Sequence, residues 1–184
     1  MHPISSKTEP AVSKKNFGFD IGSISVNTVV LDPENKVLDN RYDFCFGRPF
    51  HVLKDILTDL VTAIGVENIG LIAFTGTGGK QASEMLGGCF VNEIISQSTS
   101  VSKLYPEAKT IIEMGGEDSK LIFMEHKVVT NKSQLSDFAL NTLCAAGTGS
   151  FLDQQAKRIG VSIVNEFGEL SLKSENPPRI AGRC

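Results

Sequence analysis

A unit of strand, acidic residue, glycine and strand occurs twice in this chain, and that repeat constrains the fold more than any other feature. The first copy is Phe17-Gly-Phe-Asp20-Ile21-Gly22, followed by the Val- and Thr-rich run Ser25 to Leu31. The second is Thr110-Ile-Ile-Glu113-Met114-Gly115-Gly116, followed by Lys120 to Met124. In each copy an acid ends a short apolar strand, and glycine permits a tight turn into the next. Duplication of such a unit predicts two similar lobes, each presenting a glycine turn to a shared cleft.

The rest of the chain supplies the expected layers. Asp32-Pro33-Glu34-Asn35 reads as a turn, and Lys36 to Phe46 as a third, alternating strand. Pro49 stands where a helix should start. From His51 to Ile64 the apolar residues Val52, Leu53, Ile56, Leu57, Leu60, Val61 and Ile64 follow helical spacing, and Gly65 ends the run. A buried strand, Ile69 to Thr75, precedes the turn Gly76-Thr-Gly-Gly79, with helical segments near Gln81 to Leu86 and Asn92 to Tyr105. After the second copy, Lys120 to Met124 and Lys127 to Thr130 read as a hairpin turning at Glu125-His126. Helices are expected over Gly149 to Ile159 and Phe167 to Lys173. The predicted division is a polar tail over 1–16, a first lobe over 17–107 and the start of a second over 108–184. The second lobe reads as unfinished, so the chain is expected to be part of a longer polypeptide.

Composition narrows the partners. A hydrophobic fraction of 41% allows a real core. A net charge of −3 with interspersed signs excludes the basic stripe of a nucleic-acid binder. No apolar run approaches the ~20 residues of a membrane span. Residues 1–16 lack the apolar centre of a signal peptide. The four cysteines, Cys45, Cys89, Cys144 and Cys184, are too scattered for a secreted disulfide scaffold, which predicts reduced thiols and a cytoplasmic protein.

Two kinds of site are suggested by the residues themselves. At Asp20-Ile-Gly22-Ser23-Ile24-Ser25, backbone N–H groups and two hydroxyls could converge on one phosphate, with Asp20 holding Mg²⁺ through water. One copy alone reads better as a structural hairpin; the second, Glu113 to Asp118, shifts the balance toward a triphosphate clamp. The run Asn141-Thr-Leu-Cys144-Ala-Ala-Gly147-Thr-Gly149 places a thiol before a glycine turn that opens a helix. A helix N-terminus suits an anion, either a phosphate at Gly147-Thr148-Gly149 or a cysteine-ligated iron–sulfur cluster at Cys144. A cubane needs four thiolates, so Cys144 and Cys184 would require a symmetric dimer. Cys45, flanked by Phe44 and Phe46, and Cys89, before Phe90 and Val91, read as inert core thiols. Gly79-Lys80 is not a P-loop, no G-x-G-x-x-G follows the first strand, and Gly76 to Gly79 reads as a strand-to-helix turn. His2, His51 and His126 have no metal-like partner at helical spacing. Asp153 is expected in the first turn of its helix, favouring the dipole.

These residues resemble the BadF/BadG/BcrA/BcrD ATPase family, and within it the activators of 2-hydroxyacyl-CoA dehydratases. The likeness runs from about Phe17 to Cys184 and is most specific at Asn141 to Asp153, Ile111 to Lys120 and Arg179 to Cys184. It is nearest to the module of large multidomain activase proteins. The resemblance implies an α/β chain of the actin/Hsp70/sugar-kinase (ribonuclease H-like) fold, its first lobe complete and its second truncated. It implies ATP and Mg²⁺ as cofactors, with Gly22, Ser23, Ile24, Ser25, Val26 and Asn27 in the first phosphate loop. Gly115, Gly116 and Glu117 fall in the second loop, with Glu117 and Asp20 catalytic and Gly147 and Gly149 lining the cofactor. It further implies that Cys144 and Cys184 ligate a [4Fe-4S] cluster shared by a homodimer. ATP hydrolysis would rotate the lobes and drive a low-potential electron, received from a ferredoxin or flavodoxin, into a dehydratase partner. Two departures stand out. Asn27 replaces the usual Lys, which should weaken phosphate binding or slow hydrolysis, and the family's adenosine-binding glycine motif is expected beyond residue 184. The alternatives are a sugar-type kinase of the same fold, for which no catalytic base can be assigned, and a catalytically weak nucleotide-responsive module.

Overall fold

The computed structural model describes residues 14–127, 132–141 and 147–178, and the chain divides into two compact units at Glu93/Ile94. In the first unit, β1 (Lys15–Ile21), β2 (Ser25–Leu31) and β3 (Val37–Phe44) form an antiparallel meander. Helix α1 (Pro49–Ile64) carries the chain to β4 (Ile69–Thr75), which pairs parallel to β1; α2 (Gly79–Leu86) leads to the short β5 (Cys89–Phe90), parallel to β4. The sheet order is β3-β2-β1-β4-β5. A parallel return requires a crossover helix, and α1 supplies it.

The sequence explains these elements. Pro49 opens α1, where its missing N–H costs nothing, and Gly65 closes it at φ 83°. Leu53, Ile56 and Leu60 recur on one face and meet Phe17, Phe19, Ile21, Val26, Val30 and Phe74 in the core, joined by Ala82 of α2. Phe19 stacks on Phe74 with ring centroids 5.5 Å apart. Because strand side chains alternate, the residues between these apolar positions, Asp20 and Asn27 among them, face the other side of the sheet.

The second unit contains α3 (Glu93–Leu104), β6 (Thr110–Met114), β7 (Ser119–Lys127), β8 (Lys132–Asn141), α4 (Gly149–Arg158) and α5 (Phe167–Leu172). Its sheet is an antiparallel meander in the order β6-β7-β8. Ile94 of α3 packs with Ile122 and Met124, flanked by Ile111 and Leu135, so α3 shares a core with the second sheet. The division accordingly lies earlier than the 107/108 boundary expected from the sequence.

Four local expectations are corrected. The hairpin does not turn at Glu125-His126: β7 runs on to Lys127, pairing Glu125 with Gln134 and His126 with Ser133, past a register shift between Phe123 and Met124. The return strand is β8, at Lys132–Asn141, whereas the sequence places it at Lys127 to Thr130, of which 128–130 lie outside the described residues; the polar residues of β8 dilute the alternation that would mark it. Cys89 is exposed, since β5 is a two-residue edge strand with nothing beyond it in the sheet. Asp153 lies beyond the first turn of α4, where its Oδ2 pairs with Lys157 Nζ at 2.6 Å, one helical turn on. Among the described residues, no helix is long and apolar enough to cross a membrane.

Candidate phosphate-binding turns

The tip of the β1–β2 hairpin is closed by Gly22, whose N–H donates to Ser25 O at 3.0 Å. Behind the tip lies Cys45, 2% exposed, with its N–H donating to Ile24 O at 2.8 Å and its thiol to Ser23 O at 3.0 Å. Two consecutive carbonyls of the turn are therefore tied back onto one residue. The N–H groups of Ser23 and Ile24 are left without a backbone partner among the described residues. A turn that presents donors and hides acceptors is what an anion requires. Ser23 is partly accessible, Ser25 is 8% exposed, and Val26 is fully buried in the core, so Val26 could offer a ligand only its backbone.

Asp20 faces Asn27 directly across β1 and β2, and the Asn27 amide donates to Asp20 Oδ2 at 3.3 Å. On its other flank Asp20 pairs with Thr75 of β4, whose hydroxyl is buried without a hydrogen-bond partner. Gly76, at φ 81°, follows; a Cβ there would overlap the Asp20 carboxylate and stand 2.7 Å from Ile21 O. The Gly78 N–H then donates to Ile21 O at 2.9 Å. The Gly76 turn thus links β4 to α2 as expected, and also packs its backbone against Asp20, which the sequence reading missed. A carboxylate whose side-chain partner is a weak neutral donor can hold a hydrated cation. Among the described residues, no group of three or more His, Cys, Asp or Glu side chains could hold a metal ion.

The second turn repeats this plan. Glu113 faces Lys120 across β6 and β7, in the register relation that Asp20 has to Asn27. Lys120 is 5% exposed; its ammonium donates to Glu113 Oε2 at 2.7 Å and to Asp118 Oδ1 at 2.9 Å. Here, too, the turn carbonyls are tied from behind. Gly149 N–H donates to Gly115 O at 2.8 Å and Ser150 N–H to Gly116 O at 3.1 Å, while the Ser119 hydroxyl donates to Gly147 O at 2.9 Å. Helix α4 has no side-chain cap at Thr148, so the loop carbonyls take two of its otherwise orphaned N–H groups. A Cβ on Gly149 would come within 3.2 Å of Gly115 O, which is why glycine stands there. Glu117 lies exposed at the tip.

The two turns thus bring together Asp20 with Asn27, and Gly115, Gly116 and Glu117 with Gly147 and Gly149, each set within its own unit. Cys144 and Cys184 lie outside the described residues. Cys45 lies in the core as expected, but sequence reasoning missed its bonds to the turn, the approach of Gly76 to Asp20 and the role of Lys120. Lys120 had a usable signal: each acid meets its cross-strand donor seven residues later, Asp20 with Asn27 and Glu113 with Lys120.

The profile of the BadF/BadG/BcrA/BcrD ATPase family matches residues 17–184. The chain is 33% identical to the 2-hydroxyisocaproyl-CoA dehydratase activator of Clostridioides difficile, over 91% of this chain and 60% of that protein. It is 35% identical to the (R)-2-hydroxyglutaryl-CoA dehydratase activating ATPase of Acidaminococcus fermentans, over 91% of this chain and 62% of that one. Among solved structures, the Clostridium difficile 2-hydroxyisocaproyl-CoA dehydratase activator with bound ADPNP superposes with a TM-score of 0.74 at 30% identity, covering 91% of this chain and 60% of that one. Component A of the Acidaminococcus fermentans (R)-2-hydroxyglutaryl-CoA dehydratase gives 0.76 at 25% identity, with 92% and 63% covered. The fold is the expected mixed α/β actin-like ATPase fold, with two sheets. The chain spans about three fifths of the length of these curated relatives.

Proposed function

The chain belongs to the BadF/BadG/BcrA/BcrD ATPase family, and on that footing we propose that it is the nucleotide-binding part of an ATP-dependent activator of a 2-hydroxyacyl-CoA dehydratase. The observation that carries the nucleotide reading is the pair of register-matched hairpins whose turn carbonyls are both tied back. In the first turn that arrangement leaves the N–H groups of Ser23 and Ile24 unspent, and in this reading the loops Gly22 to Asn27 and Gly115 to Glu117 receive phosphate oxygens. In this reading Asp20 holds Mg²⁺ through water, and the exposed Glu117 orients or deprotonates the water that attacks the terminal phosphate, giving ADP and inorganic phosphate. A [4Fe-4S] cluster held by Cys144 and Cys184 from each of two chains would supply the low-potential electron that activates the dehydratase. A ferredoxin- or flavodoxin-type donor completes the set of partners. The neutral Asn27 amide on Asp20 favours slow hydrolysis within this role.

Anaerobic reconstitution with iron and sulfide tests the redox half, read as iron content, visible spectrum and oligomeric mass. The reading expects about two irons per chain in a dimer, lost in Cys144→Ala. A folded chain that binds ATP but takes up no iron would sink the activator role and leave a nucleotide-responsive module.

A further inference from the structure

Lys120 is a cation that the second unit buries almost completely, although lysine is seldom buried unless paired. It is held by two carboxylates from the same turn, Glu113 at 2.7 Å and Asp118 at 2.9 Å. Asp118 closes the turn over Gly115: a Cβ on Gly115 would stand 2.6 Å from Asp118 Oδ1 and 3.3 Å from Glu113 Oε1. The turn thus carries three acids, Glu113, Glu117 and Asp118, at a place read above as receiving a polyanion. Three uncompensated negative charges there would repel terminal phosphates.

We infer that Lys120 is a positioning residue for the terminal phosphates, acting through Glu113 and Asp118 and not by touching the nucleotide. This rests on the nucleotide reading of the second turn. Its ammonium engages both carboxylates and offsets one of their two negative charges. The backbone N–H groups of the turn then face the ligand without a competing acceptor, and Glu117 is left as the carboxylate available for chemistry. The first hairpin makes the contrast: the same register position holds Asn27, a neutral donor, and its acid keeps a charge that a hydrated cation can use. Two copies of one hairpin therefore solve the charge problem differently, one with an internal ammonium and the other with an external ion.

The test is the ratio of ADP to ATP dissociation constants for the full chain, measured by calorimetric titration with Mg²⁺ present. Loss of general stability would weaken both nucleotides alike; loss of Lys120 at the terminal-phosphate turn acts chiefly on ATP. Lys120→Met is expected to lower the ratio about tenfold, and Lys120→Arg to restore most of it. An unchanged ratio in folded Lys120→Met overturns the inference. Asp118→Asn keeps the Lys120–Glu113 pair and removes one negative charge, and is expected to raise the ratio several-fold. An unchanged ratio in Asp118→Asn overturns the inference even where Lys120→Met fails to fold. Failure of the unsubstituted chain to bind either nucleotide is a different result, because it removes the nucleotide reading itself.

Discussion

Asn27 and Lys120 occupy equivalent positions in two hairpins, and the difference between an amide and an ammonium sets how each turn handles charge. The amide reaches Asp20 at 3.3 Å, whereas the ammonium reaches Glu113 at 2.7 Å, the shorter separation of a charge-assisted bond. Asn27→Lys adds a cation at the first candidate loop and is expected to raise steady-state ATP turnover about tenfold, its longer side chain reaching past Asp20 to a phosphate oxygen, where a charge-assisted bond is roughly twice as strong as a neutral one. Equal turnover would show that this residue does not limit hydrolysis. Gly76 is constrained twice, by its φ of 81° and by the Asp20 carboxylate beside it. Gly76→Ala is expected to cost about 2 kcal/mol in urea unfolding, since the left-handed region penalises a Cβ. It should also raise the Mg²⁺ concentration needed for nucleotide binding, because the new methyl pushes on Asp20.

At the level of elements, each candidate phosphate turn is fixed by something behind it. Cys45 does this for the first turn, following β3 in the chain. The start of α4 does it for the second, so the loop and the helix cap each other. Such reciprocal capping satisfies the helix without a Ser, Thr, Asp or Asn side-chain bond. It also makes α4 sensitive to the loop. Gly149→Ala places a methyl 3.2 Å from Gly115 O and should lengthen the Gly149–Gly115 bond. Amide exchange at positions 149 and 150 is expected to speed up about tenfold, with β1 and β2 unaffected. Unchanged protection at position 150 would show that the two bonds do not support each other.

The described residues of the two units are unevenly stabilised. Among the described residues, the first unit gathers eleven buried residues into one cluster and the second only three. At about 1.5–3 kcal/mol for each fully buried large apolar side chain, that difference decides the order of unfolding. The second unit is expected to open at lower urea, seen as early loss of exchange protection in β7 while Phe17, Phe19 and Phe74 remain protected. A single coincident transition for both sheets would refute this.

Much of the fold was legible because its signals are local. The strand–acid–glycine repeat announced two similar units that each open on a hairpin, the spacing from Leu53 to Leu60 announced α1, and Pro49 and Gly65 marked its ends. Glycine in a turn and apolar period along a helix act through the residue's own backbone, so they survive in any context. The place of strand β8 and the true end of β7 were not legible, because pairing with a neighbouring strand can hold polar residues such as Glu125, His126 and Gln134 in extended form. The same holds at the candidate site. The acids and glycines could be picked out singly, whereas the tying of Ser23 and Ile24 by Cys45, the approach of Gly76 to Asp20 and the burial of Lys120 between two acids join elements distant in sequence. Hydrogen bonds and burial depend on what lies opposite, and only packing the strands against one another specifies that.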